Sequence, residues 1–129
     1  MINYKIFIVE DDDILAKTTE WRVRKLGYEF SGRASNGKDA IEFIAGRNPD
    51  IILMDINLLG EMDGITTAHI IRKSFDIPII FLTADTAKET ISKAKEADPK
   101  AYLVKPFDDK DLMAAIEIAV KNQPQDNSD

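Results

Sequence analysis

The sequence predicts an α/β protein built on a doubly wound parallel sheet with helices on both faces. Three observations carry the prediction. Five short β-branched runs, most of them nearly all apolar, punctuate the 129 residues, and strands buried on both faces look like this. Segments with helix signals lie between them, so strand and helix alternate throughout. Acids and other polar residues collect where strands give way to helices, which is where ligands bind in an open parallel sheet. The length suits one domain. A chain of this size buries roughly two thirds of its extended surface, enough for a real core.

The first strand is "KIFIV" (5–9), and it breaks directly into Glu10, Asp11, Asp12 and Asp13. The first helix starts there, with Asp12 or Asp13 as its cap, and stops at Leu26-Gly27. "EFSGRAS" (29–35) is the second strand. "SNGKDAIEFIAG" opens on turn residues and closes on Gly46, giving the second helix. "DIILM" (50–54) is the third strand, and a helix over 64–74 comes after Asp63-Gly64. "PIIFL" (78–82) is the fourth strand, with a helix over 86–97. "AYLV" (101–104) is the fifth. In the last helix Leu112, Ile116, Ala119 and Val120 share one face, with Asp108 as N-cap. The domain is expected to occupy 1–122. Residues 123–129, polar and containing Pro124, read as a tail or the start of a linker.

Composition removes whole classes of function. The net charge of −6 disfavours direct binding to nucleic acid or an anionic membrane, since both need a basic patch. The absence of cysteine excludes disulfides, thiol catalysis and cysteine-ligated metals. A single histidine, His69, excludes a histidine-rich metal centre. No apolar run approaches the roughly 20 residues that span a bilayer, and the N-terminus lacks a signal-peptide pattern. A soluble cytoplasmic location is the expectation. Trp21 and His69, inside helical segments, read as packing or surface residues.

The residues at the strand ends point to chemistry. Glu10 and Asp11 come after the first strand, Asp55 after the third, Thr83 and then Asp85 after the fourth, and Lys105-Pro106 after the fifth. Each has a plain explanation when taken alone. Acids favour a helix N-terminus, Thr83 could cap the helix near Thr86, and Lys105 could be a surface lysine. Together they are a constellation. If the first and third strands are neighbours, three carboxylates meet at one edge. Two like charges ~4 Å apart repel by about 4 kcal/mol at an effective dielectric of 20, so such a cluster needs a cation. Oxygen ligands suit a small hard ion, Mg²⁺ most naturally. Its charge and that of Lys105 would balance Glu10, Asp11 and Asp55. A site of this kind can hold a phosphoryl group in transfer, and an aspartate can accept one as an acyl phosphate.

The segments "IVEDDD", "LMDINL", "MDGI", "FLTA" and "AYLVKPF" resemble, in order and over residues 5 to about 120, the receiver domain of two-component response regulators. The resemblance implies a flavodoxin-like fold with strand order 2-1-3-4-5. It implies Asp55 as phosphoacceptor and Mg²⁺ held by Glu10, Asp11, Asp55 and the backbone carbonyl of Asn57. Thr83 is then the switch hydroxyl, Lys105 the phosphate-contacting lysine and Tyr102 the switch aromatic. Asn57 and Asp85 take positions that tune loss of the phosphoryl group, and the bond before Pro106 is expected to be cis. The implied donor is a sensor histidine kinase or a histidine phosphotransfer protein. The implied output is a changed surface on the fourth helix, fifth strand and fifth helix, open to a partner or to a phosphorylation-dependent homodimer.

The chain would then catalyse only its own phosphorylation and slow dephosphorylation. Leu59 stands where the family often has proline, the loop "DINLLGEMDG" is one residue longer than the common form, and Ala101 replaces a frequent glycine. An aspartate-nucleophile phosphatase would carry a second acid where Asn57 stands. A flavin carrier would need a phosphate loop where the four acids stand. A degenerate receiver that only binds partners would lack site residues that are all present here. Two architectures fit: a single-domain regulator, or a receiver joined to further domains.

Overall fold

The computed structural model describes residues 3–121. Five strands and five helices alternate: β1 (Lys5–Val9), α1 (Asp13–Lys25), β2 (Glu29–Ala34), α2 (Gly37–Arg47), β3 (Ile51–Asp55), α3 (Gly64–Ser74), β4 (Ile79–Thr83), α4 (Lys88–Glu96), β5 (Ala101–Val104) and α5 (Asp109–Lys121). The strands form one sheet in the order β2-β1-β3-β4-β5, and each neighbouring pair is parallel. This is the order that the resemblance implied.

The core lies in two layers, one on each face. Successive strand residues point to opposite faces, so β3 sends Ile52 and Met54 one way and Ile51 and Leu53 the other. The first face packs against Ala40 and Ile44 of α2, Ala68 and Ile71 of α3, and Ala94 of α4. The second packs against Val23 of α1 and Leu112, Ala115, Ile116 and Ala119 of α5. The central strands β3 and β4 are buried along their whole length, whereas the edge strands β2 and β5 are largely half-buried. That gradient explains why β2 carries more polar residues than the central strands.

Helix ends reflect capping chemistry. The Asp12 carboxylate accepts from the N–H groups of Ile14 and Leu15, so Asp12 is the cap of α1. Asp108 caps α5 by accepting from Asp111 N–H at 2.8 Å, while Asp111 accepts a longer bond from Asp108 N–H. Two ends differ from expectation. α2 runs past Gly46, and Asn48 takes the left-handed conformation (φ 46°) that closes it. α4 begins at Lys88, two residues later than expected, after an Ala87 with no side-chain cap. The expected tail, 123–129, lies outside the described residues.

The chain leaves β1 toward β2 on one side and returns across it to β3 on the other. The β1/β3 junction is therefore the point where strand order reverses, and its carboxyl edge is the natural position for a site.

Candidate functional site

β1 delivers the first acids. Beyond Val9 the Glu10 N–H still donates to Ala34 O at 3.1 Å, so Glu10 stays fixed to the sheet edge while the chain turns into α1. β3 ends one strand over at Asp55, which pairs with Leu82 of β4. Glu10 and Asp55 are buried and Asp11 is half-buried. Each offers a carboxylate oxygen, and the three oxygens lie within 4.8 Å of one another. Lys105, leaving β5, places its Nζ 3.3 Å from Glu10 Oε1 and 3.5 Å from Asp55 Oδ2. The Lys105–Pro106 peptide is cis.

One ammonium does not balance this cluster. Burial first, and then the neighbouring Asp55 carboxyl, push Glu10 up from 4.5 to about 7. The Asp12 N–H on Glu10 Oε2 and the Lys105 charge oppose that rise. Converging carboxylate oxygens with charge in excess suit a small hard divalent cation.

Two further residues complete the rim. Asp55 Oδ1 accepts from Asn57 N–H at 2.9 Å, and Asn57 Nδ2 lies 3.5 Å from Thr83 Oγ1. Thr83, at the end of β4, is fully buried, and its hydroxyl accepts from Asp85 N–H at 3.0 Å. It does not cap α4. Asp85 turns its carboxylate toward α4, accepting from Ala87 N–H and the Thr90 hydroxyl, and these bonds hold it below the ordinary carboxylate value. The Asp85 carbonyl accepts from the Tyr102 hydroxyl at 2.7 Å, while the Tyr102 ring packs against the core layer under α4. Thr83, Asp85 and Tyr102 thus form one hydrogen-bonded chain leading from the acid cluster to α4. Trp21 and His69 lie at the surface, away from it, with Lys25 Nζ 4.5 Å over the Trp21 ring.

Sequence reasoning missed four supports. Arg33 of β2 donates to the Glu10 carbonyl and to Asp13. Its trace in the sequence is that it is the one base in β2, beside an interior glycine of the kind that marks a bulge. Arg22 of α1 donates to Phe107 O and pairs with Asp109, both at 2.8 Å, and so holds the segment beyond Pro106. Gly64 lies against the Asp55 backbone, with no room for a Cβ. Leu59 donates its N–H to Asp11 Oδ2 at 3.2 Å, a bond open to it because it is not proline.

Comparison with known proteins places this geometry in a family. The model of the response regulator receiver domain matches residues 6–117. The transcriptional regulatory protein PdtaR of Mycobacterium tuberculosis H37Rv is 36% identical over 116 residues, covering 90% of this chain and 56% of its own. This chain therefore spans about half the length of that relative. Among solved structures, the signal receiver domain of a modulated diguanylate cyclase from Desulfovibrio desulfuricans G20 superposes with a TM-score of 0.89 at 35% identity, over 95% of this chain and 97% of that one. The receiver domain of the sensor histidine kinase PA1611 of Pseudomonas aeruginosa PAO1 was solved with a magnesium ion coordinated in its active-site cleft. It superposes with a TM-score of 0.84 at 27% identity, over 94% of this chain and 100% of that one. With the fold, the strand order and the family match in agreement, this chain belongs to the receiver domains of response regulators.

Proposed function

We propose that Asp55 accepts a phosphoryl group from a phosphohistidine on a sensor histidine kinase or a histidine phosphotransfer protein. A carboxylate oxygen of Asp55 attacks phosphorus. The new O–P bond forms as the N–P bond breaks, and the donor histidine recovers a proton. Glu10, Asp11 and Asp55, with the backbone carbonyl of Asn57, are the residues that would hold Mg²⁺. Bound there, the ion supplies positive charge against the transferred phosphoryl oxygens. Lys105 adds an ammonium and Thr83 a hydroxyl for the same oxygens. Asn57 and Asp85 are the residues proposed to tune loss of the group, Asn57 being hydrogen-bonded to Asp55 and Asp85 to Thr83.

The observation that carries this reading is the convergence of three carboxylates within 4.8 Å of one another beside Lys105. Such a cluster at a strand-order reversal has no structural purpose that apolar residues would not serve better. The output proposed is a change in the surface of α4, β5 and α5, read by a partner or by a second copy of the chain. Thr83 and Tyr102 are the residues that would transmit it.

The test is intact mass after incubation with Mg²⁺ and acetyl phosphate. Wild type should gain one phosphoryl group, and Asp55→Asn should gain none while remaining folded. An undiminished yield in Asp55→Asn would place the acceptor elsewhere.

A further inference from the structure

β2 breaks register with β1. Phe30 pairs with Ile6, but the next residue of β1, Phe7, pairs with Gly32. Ser31 is thus an extra residue, a bulge, and every side chain after it is turned to the opposite face relative to an unbroken strand. The consequence falls on Arg33, which pairs with Ile8, a member of the core layer under α1 and α5. Without the bulge Arg33 would pair with Val9, whose side chain lies in the other layer, and a guanidinium would enter the apolar core under α2 and α3. Gly32 makes the bulge feasible. It holds φ at +156°, and a Cβ there would come within 2.9 Å of Arg47 Nε and 3.2 Å of Phe7 Cε1.

Delivered to the α1 side, Arg33 closes on the turn that carries the acids. Its Nε and Nη2 both donate to the Glu10 carbonyl oxygen, at 3.0 and 2.7 Å, and its Nη1 donates to Asp13 Oδ1 at 2.8 Å. The fork fixes the peptide that joins Glu10 to Asp11, and with it the direction in which both carboxylates point. We infer that Arg33 is a positioning residue for the divalent-cation site, acting through the Glu10–Asp11 peptide. The inference rests on the reading of Glu10 and Asp11 as cation ligands.

Geometry and charge act in opposite directions here, which makes the role measurable. A guanidinium near the cluster repels an incoming cation, whereas the fork orients its ligands. Lysine keeps the charge but is a point donor without the planar fork. Removing partners that orient a metal's ligands weakens affinity by about tenfold or more.

The experiment titrates MgCl₂ into the full chain by calorimetry, for wild type, Arg33→Lys and Arg33→Gln. The carbonyl-carbon NMR shift of Glu10 is read in metal-free protein, and the urea midpoint serves as a check on folding. Arg33→Lys should move the Glu10 carbonyl shift and bind Mg²⁺ roughly tenfold more weakly, at a nearly unchanged midpoint. If Arg33→Lys does not fold, Arg33→Gln decides: weaker binding supports positioning, and equal or tighter binding refutes it. A wild type that binds Mg²⁺ beside an Arg33→Lys that binds equally well would overturn the inference and leave the cation site standing. A wild type that binds no Mg²⁺ would overturn the cation site and this inference with it.

Discussion

A Cβ added to Gly64 would meet the Asp55 carbonyl oxygen and lie 2.8 Å from the Ile56 Cα. Both obstacles are backbone, so neither can swing aside. The close approach is made by the Gly64 N–H, which donates to Ile56 O at 2.8 Å and brings the start of α3 down onto the end of β3. The residue that looks like a turn signal in the sequence is therefore a spacer behind the proposed phosphoacceptor. Gly64→Ala should destabilise the protein by about 1–3 kcal/mol, the usual cost of overpacking. A lowered urea midpoint with an unchanged slope would show it, and the phosphorylation yield should fall with it. An unchanged midpoint would mean that the loop yields at no cost. The four adjoining acids also separate at this scale. Glu10 and Asp11 face the cluster, Asp12 caps α1, and Asp13 pairs with Arg33.

α4 is lightly anchored. Its N-terminus has no side-chain cap of its own, and Ala94 is its one buried residue. An element with few buried apolar side chains opens or shifts at low cost. What restrains it is Asp85, which holds Ala87 and Thr90 with its carboxylate and Tyr102 with its carbonyl, while its own N–H is held by Thr83. A new phosphoryl oxygen near Asp55 would accept a charge-assisted hydrogen bond from the Thr83 hydroxyl, drawing toward the site the oxygen that also accepts from Asp85 N–H. That shift would pull on Asp85 and so on both α4 and Tyr102. The Mg²⁺–beryllofluoride adduct, a mimic of the acyl phosphate, should therefore change amide exchange across residues 86–104 in wild type. In Thr83→Ala the same residues should respond much less. Changes confined to the loops around Asp55, or an undiminished response in Thr83→Ala, would break this route.

Across the whole molecule, α1 and α5 are tied together on one face of the sheet. Asp109 accepts from Arg22 at 2.8 Å and pairs with Lys25 at 2.5 Å, and the Tyr28 hydroxyl donates to Glu117 at 2.8 Å. Arg22 also lies 4.5 Å over the Phe107 ring, so the same base orders the chain beyond Pro106. Lys25 and then Arg22 hold the Asp109 carboxyl below its ordinary value of 3.8. The folded protein thus binds that proton less tightly than the unfolded chain does. The stabilisation is fully present above the ordinary value and is lost as pH falls through the lowered one. Asp109→Asn should accordingly lower the urea midpoint near neutral pH, and the gap from wild type should close in strong acid. A gap that persists unchanged in acid would assign the effect to packing. Among the described residues no helix is long and apolar enough to cross a membrane.

Architecture and the membership of the site are written along the chain. Buried strands must be apolar and helices must be capped, so "KIFIV", "DIILM" and "PIIFL" declare themselves locally, and so do Asp12 and Asp108. The residues that end those strands are legible for the same reason: the carboxyl edge of a parallel sheet is where Glu10, Asp11, Asp55, Thr83 and Lys105 must emerge. Their orientation is set by contacts that no local pattern shows. Arg33 reaches Glu10 only because a one-residue bulge turns it over, and periodicity of two cannot show a slip of one. Gly64 touches the Asp55 backbone across a long loop, and Arg22 reaches Asp109 across 87 positions of chain. Asn48, not Gly46, ends α2, because asparagine also takes the left-handed conformation and its N–H closes on Ile44 O. Hydrophobic and capping patterns are local, so a linear reading recovers them. Supports between distant segments depend on distances that exist only once the sheet has formed.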